Sequence, residues 1–136
     1  MRVVVDTNVL VSGLLGAYTG SGEIVRMISS GSLKLCHDSR ILEEYREVLL
    51  RPKFPFQKSD IEFFLDKARS SGQAVAAQPL GFSLVDPDDE PFLEVALSGK
   101  ARFLITGNLK DYSRYRGNTP DIVSPGDFLK IYKARS

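Results

Sequence analysis

Apolar residues along the chain alternate between short continuous runs and longer stretches with helical spacing. Val3, Val4 and Val5 suit a strand buried on both faces, and Val9, Leu10, Val11, Leu14 and Leu15 then switch to a helical period. A second helical pattern, Ile24, Val25, Met27 and Ile28, follows Gly20-Ser21-Gly22 and is ended by Gly31. Leu33 to Cys36 reads as a strand. Ser39 is the expected cap of a helix from about Arg40 to Arg51, which Pro52 stops. Ser59-Asp60-Ile61-Glu62 has the form of a capping box for the next helix, running to Gly72. Gln73 to Ala77 is a weaker strand. The polar turn Asp86-Pro87-Asp88-Asp89 then leads into a helix carrying Phe92, Leu93, Val95, Ala96 and Leu97. Arg102 to Thr106 is a further buried strand and Asp121 to Val123 a short one. Ser124-Pro125-Gly126-Asp127 opens a final helix with a Ser cap, an early Pro and an acid in the first turn. Alternating strands and helices predict an α/β fold with a mainly parallel sheet covered by helices on both faces.

The junction after the first strand carries a lone acid, Asp6. In such sheets ligands bind in the crevice at the carboxyl ends of the strands, where helix N-termini present unpaired N–H groups. Taken alone, Asp6 or Asn8 could equally be a helix cap. The other acids decide between the two readings.

At 136 residues and 43% hydrophobic content the chain has the size of one domain, spanning residues 1–136. No run approaches the roughly 20 apolar residues of a membrane span. The single cysteine, Cys36, cannot form an intrachain disulfide, and no N-terminal stretch has the layout of a secretion signal, so the expected location is cytoplasmic. Net charge is +1 but segregated: residues 1–99 hold 10 Lys/Arg against 14 Asp/Glu, residues 100–136 hold 8 against 3. Within the basic part, Lys110, Tyr112, Arg114, Tyr115 and Arg116 form a loop able to touch phosphates and stack on bases, a candidate RNA-binding segment. Lys130, Lys133 and Arg135 have a simpler explanation in the dipole of the last helix.

On the helix 40–51, Ile41, Leu42, Tyr45, Val48 and Leu49 form the apolar stripe. At roughly 100° per residue, Glu43 and Glu47 lie about 160° from its centre and Glu44 about 100° away. Glu44 is therefore the acid able to reach a crevice beside the sheet, whereas its neighbours should face water. In the turn Asp86-Pro87-Asp88-Asp89-Glu90, Asp88 serves as a cap, yet four acids exceed what capping and the dipole require. Asp89 stands out, on the same helical face as the packing position Ala96. The strand ending at Thr106 delivers Gly107, Asn108 and Asp111 to the same edge.

Gathering Asp6, Glu44, Asp89 and Asp111 without a cation is costly, because like charges a few ångströms apart cannot all ionise at neutral pH. An all-oxygen donor set suits Mg²⁺ or Mn²⁺, and such a site can activate water for phosphodiester hydrolysis. Zinc is not expected. Cys36 and His37 are adjacent and no other soft ligands exist.

The segments VVVDTNVLVSG, SRILEEYREVL, DPDDEPFLEVAL and FLITGNLKDY, followed by IVSPGDFL, resemble the motifs of the PIN domain family, especially the VapC-like toxins of toxin–antitoxin pairs. The likeness spans roughly residues 2 to 129, and the order and spacing of the motifs carry it. It implies a three-layer α/β/α sandwich with a central, about five-stranded sheet and a metal-dependent endoribonuclease site. Asp6, Glu44 and Asp89 match the family's three principal acidic positions. Where some members carry a fourth acid directly after the Thr-Gly, this chain has Asn108, and an acid returns at Asp111. Thr7, Asn8, Ser12, Thr106 and Asn108 correspond to supporting polar groups. The resemblance also implies an RNA substrate, a cognate antitoxin protein and a homodimer.

Two other functions remain open from sequence. A degenerate, non-catalytic domain that binds RNA or protein is one, suggested by Asn108. The other is a phosphatase of the haloacid dehalogenase type with Asp6 as nucleophile. That class carries a second Asp two residues on, where this chain has Asn8.

Overall fold

The computed structural model describes residues 1–135, and Ser136, the last residue of the expected domain, lies outside the described residues. The elements follow one another as β1 (Arg2–Val5), α1 (Thr7–Leu15), α2 (Gly20–Ser30), β2 (Lys34–His37), α3 (Ser39–Leu49), α4 (Lys58–Ser71), β3 (Gln73–Ala74), α5 (Glu90–Ser98), β4 (Phe103–Ile105), β5 (Asp121–Val123) and α6 (Pro125–Ala134). Short 3₁₀ turns occupy Pro87–Asp89 and Leu109–Tyr112. All five strands pair in parallel, in the order β3-β2-β1-β4-β5.

That order places a topological switch between β1 and β4. The chain builds β2 and β3 on one side of β1 and then returns to add β4 and β5 on the other, leaving a crevice at the carboxyl ends of β1 and β4. Val5 pairs with Ile105, so the next residues, Asp6 and Thr106, emerge side by side. The Asp6 amide continues the pairing by donating to the Ile105 carbonyl at 2.9 Å, and that of Thr106 donates to Val123 at 2.9 Å.

Val3, Val4, Val5, Leu104 and Ile105 are wholly buried, as continuous apolar strands require when helices cover both faces. Phe103 meets Phe128 of α6 edge to face, with ring centroids 5.4 Å apart. The pleat turns Leu104 to the opposite face, and α5 packs across β1, β2 and β4. The fold is a three-layer α/β/α sandwich. Among the described residues no helix is long and apolar enough to cross a membrane.

Several local expectations shift. Asp38, not Ser39, caps α3, its carboxylate accepting from the Ile41 amide at 3.1 Å. The capping box at Ser59 does not form: α4 begins at Lys58, and Glu62 is drawn away to Arg46 of α3 at 2.7 Å. Gly20, Ser21 and Gly22 lie inside α2, which Thr19 caps, because α1 and α2 touch backbone to backbone there. A Cβ on Gly22 would come within 2.5 Å of the carbonyl oxygens of Gly16 and Ala17. The strand expected over 73–77 keeps only Gln73 and Ala74. Beyond them the backbone is captured by side chains of α5: Gln78, Leu80 and Leu84 donate their amides to Ser98, Glu94 and Glu90 at 2.9 to 3.0 Å. The final helix starts as read, with the Ser124 hydroxyl accepting from the Asp127 amide.

Candidate metal and nuclease site

Asp6 closes β1 and occupies the N-cap position of α1, yet its side chain makes no cap hydrogen bond. The helix already begins at Thr7, so Asn8, the other cap candidate, lies inside it. The Asp6 carboxylate, only 5% exposed, instead accepts from the Thr106 hydroxyl at 2.9 Å, a contact set by the β1–β4 register. Thr106 in turn accepts from the Asn108 amide at 3.0 Å, which fixes the turn after β4. The Tyr112 hydroxyl approaches the same Asp6 oxygen at 3.5 Å. Burial pushes the Asp6 carboxyl above its ordinary range, and the nearby Asp111 charge adds to this, while Thr106 and the amides of Thr7 and Asn8 pull it down.

Glu44 reaches this edge because Tyr45 anchors its helix. The Tyr45 ring is fully buried against Phe92, and its hydroxyl donates to the Val5 carbonyl at 2.5 Å, tying α3 to the end of β1. Glu43 and Glu47 face water and pair with Arg46 and Arg51, as the helical spacing predicts. Glu44 is half-buried and accepts from the Thr7 hydroxyl. Desolvation chiefly raises its carboxyl, Thr7 lowers it, and the charges of Asp6 and Asp88 raise it further. A Tyr45→Phe variant loses one fully buried hydrogen bond and should cost about 1–2 kcal/mol, read as a lower urea midpoint at unchanged slope.

The acidic turn divides its labour differently from the expectation. Asp86, not Asp88, is the cap, accepting from the Asp88 amide at 2.9 Å, and Glu90 holds the Leu84 amide. Asp88 is exposed and faces Glu44 electrostatically. Asp89 is left with no capping task. Its Oδ2 is buried with no hydrogen-bond partner. Desolvation first, then the charges of Asp6, Asp111 and Asp86, and finally a side-chain contact with Asp111, lift its carboxyl to about 7.

The loop after β4 lines an open cleft of about 420 Å³ formed by Gly107, Asn108, Leu109, Lys110 and Asp111. Of the predicted RNA-binding residues, Lys110, Arg114 and Arg116 are exposed and Tyr115 is half-buried. Tyr112 departs from its expected role. The 3₁₀ turn Leu109–Tyr112 rotates its ring into the core beneath Asp6, leaving it 2% exposed and unable to stack on a base. Asn8 and Ser12 lie exposed on α1. Sequence reasoning treated Tyr45 only as core and missed its bond to Val5; a Tyr within a buried stripe must satisfy its hydroxyl, and that was the available signal.

Among the described residues, no three His, Cys, Asp or Glu side chains already form a closed group able to hold a metal. The acids meet through mutual charge: Asp89 with Asp6 and Asp111, Glu44 with Asp6 and Asp88. An orphaned buried carboxylate oxygen within an all-oxygen acidic set is chemistry that fits a hard divalent cation.

Residues 2–110 match the PIN domain family, and the chain belongs to it. No curated protein matches it. The crystal structure of VapBC2 from Rickettsia felis bound to a DNA fragment from their promoter is similar over 91% of this chain and 97% of that chain, with a TM-score of 0.55 and 16% identity. At that identity the likeness speaks for the fold alone.

Proposed function

We propose that the protein is a Mg²⁺- or Mn²⁺-dependent endoribonuclease, with Asp6, Glu44, Asp89 and Asp111 as its metal and catalytic acids and Asn108 completing the edge. The observation that carries this reading is Asp89, a carboxylate with a buried, unpartnered oxygen, raised to about 7 first by burial and then by the charges of Asp6 and Asp111. A bound divalent ion would supply activation of water and neutralise charge at the phosphate. The chain's own groups orient the donors. Thr106 fixes Asp6, Thr7 fixes Glu44, and the Tyr112 ring closes the floor beneath Asp6 against water. Lys110, Arg114, Tyr115 and Arg116 would hold the RNA backbone beside acids that otherwise repel it. Arg114 donates to the carbonyls of Ser83 and Leu84 at 3.4 Å and Arg116 to that of Ser113 at 2.9 Å, contacts to neutral carbonyls that leave both charges unneutralised beside the exposed Lys110.

The same reading takes residues 1–136 as one cytoplasmic PIN domain acting as the toxin of a pair, with a cognate antitoxin and a second copy of itself as partners. Family membership supports it, as does likeness in fold to the VapBC2 structure. Calorimetric titration of the purified protein with Mn²⁺ tests the site. Saturable binding that disappears in Asp6→Asn is the expected result. No binding at millimolar Mn²⁺ would favour a degenerate domain, consistent with Asn108 in the fourth position.

A further inference from the structure

The opposite end of the sheet carries a basic groove. Four residues from separate places in the chain meet at the amino ends of the strands: Arg2 opens β1, Lys100 and Arg102 precede β4, and Arg135 follows α6. Together with Met1 they line a cleft of about 240 Å³. This cleft shares Met1 and Arg135 with a neighbour of about 300 Å³ lined also by Ser32 and Tyr132. Through Arg102 it adjoins a third, of about 260 Å³, that reaches Asn118 and Thr119 and ends at Asp121. The three run as one groove across the ends of β2, β1, β4 and β5.

None of the four cations forms an ion pair among the described residues. Their fixed contacts are neutral. Arg2 donates to the Gly99 carbonyl at 2.9 Å, Arg102 lies over the Phe103 ring, and Arg135 touches the Met1 sulfur. Lys100 holds its place in the left-handed region, φ 55°, where Gly or Asn is the ordinary choice. Four unneutralised cations in one concave strip repel one another and attract an anion.

We propose that this groove is a second nucleic-acid site, binding the phosphate backbone of a single strand at the end of the sheet remote from the acids. Its shape favours a strand over a small anion. Three strand spacings of about 4.8 Å give about 14 Å, the length of about four stacked nucleotides. Tyr132 and Ser32 at one end add an aromatic face and a hydroxyl, groups that accept bases without regard to sequence. The groove also accounts for part of the basic excess of residues 100–136 that the dipole of α6 does not use. Lys133 lies in the last turn of α6, as the dipole reading expects, and also reaches Glu23 at 3.3 Å.

The test is binding without cleavage. A fluorescein-labelled 12-nucleotide oligouridylate is titrated in EDTA, over a series of salt concentrations, with the wild type and with the variant K100N/R102Q/R135Q. The variant should bind at least about tenfold more weakly, and its log–log salt slope should fall by about 2, since each phosphate contact of a single strand contributes about 0.7. Lys110→Gln/Arg116→Gln, in the loop beside the acids, serves as the comparison and should keep that part of the slope. A melting temperature within a few degrees of wild type establishes that the triple variant is folded; if it is not, each single variant should lower the slope by about 0.7. An unchanged slope in the triple or single variants overturns the proposal, as does displacement of the oligonucleotide by polyglutamate more readily than by unlabelled RNA. Because no metal is present, failure here is distinct from failure of the nuclease reading.

Discussion

Asp6→Asn should lower metal-dependent RNA cleavage by more than about 100-fold, since even residues that merely orient metal ligands cost about 10- to 100-fold when removed. The same change should raise the melting temperature of the metal-free protein. Asp6 is 5% exposed, its carboxyl is raised chiefly by burial, and its charge in turn raises Glu44, Asp89 and Tyr112. Asparagine keeps an oxygen to accept from Thr106 and removes the charge. Stability and activity therefore move in opposite directions at this position. Mn²⁺ completes the prediction: by mass action it should raise the melting temperature of the wild type and leave that of Asp6→Asn unmoved. A variant that is both less stable and fully active would contradict the role given to this carboxylate.

Asp89→Asn should remove much of the pH dependence of stability in the metal-free protein. The folded chain holds the Asp89 proton up to about 7, whereas an unfolded aspartate releases it near 3.8. Between these values the native state binds more protons than the unfolded one, so wild-type stability falls as pH rises from about 4 to about 7 and then levels off. Below that window Asp89 is neutral in both states and an amide in its place changes little. Above it the charge has to be held among Asp6, Asp111 and Asp86, and the amide relieves the repulsion. Thermal melts at pH 5 and pH 8 should therefore coincide more closely for the variant, with its gain over wild type larger at the higher pH. A residual decline is expected from Asp6 and Glu44, whose carboxyls are raised in the same direction. A gain of equal size at both pH values would mean that Asp89 is not titrating in this window.

The sheet and most helices were legible because their signals are periodic. The run Val3–Val5 and the stripe of α3 each have one physical reading, and both hold. Glu44 was separable from Glu43 and Glu47 by helical angle alone. Caps were less legible because several acceptors compete at each helix start: Asp38 displaced Ser39, Asp86 displaced Asp88, and Arg46 removed Glu62 from its box. The brevity of β3 could not be foreseen, since its continuation is captured by Ser98, Glu94 and Glu90, contacts between segments distant in the chain. Tyr112 was misread for a related reason. Composition placed it in a basic aromatic loop, while a 3₁₀ turn invisible to periodicity carried its ring beneath Asp6.

The most direct measurement is cleavage itself, with metal as the single variable. End-labelled single-stranded RNA is incubated with purified wild-type protein in EDTA, and excess Mn²⁺ is then added to the same tube. Intact RNA before the addition and fragments accumulating after it, with no fragments in a parallel tube of Asp6→Asn, is the predicted result. Equal cleavage before and after Mn²⁺, or RNA that stays intact throughout with the wild type, would contradict assignment of this acidic crevice as a metal-dependent nuclease site.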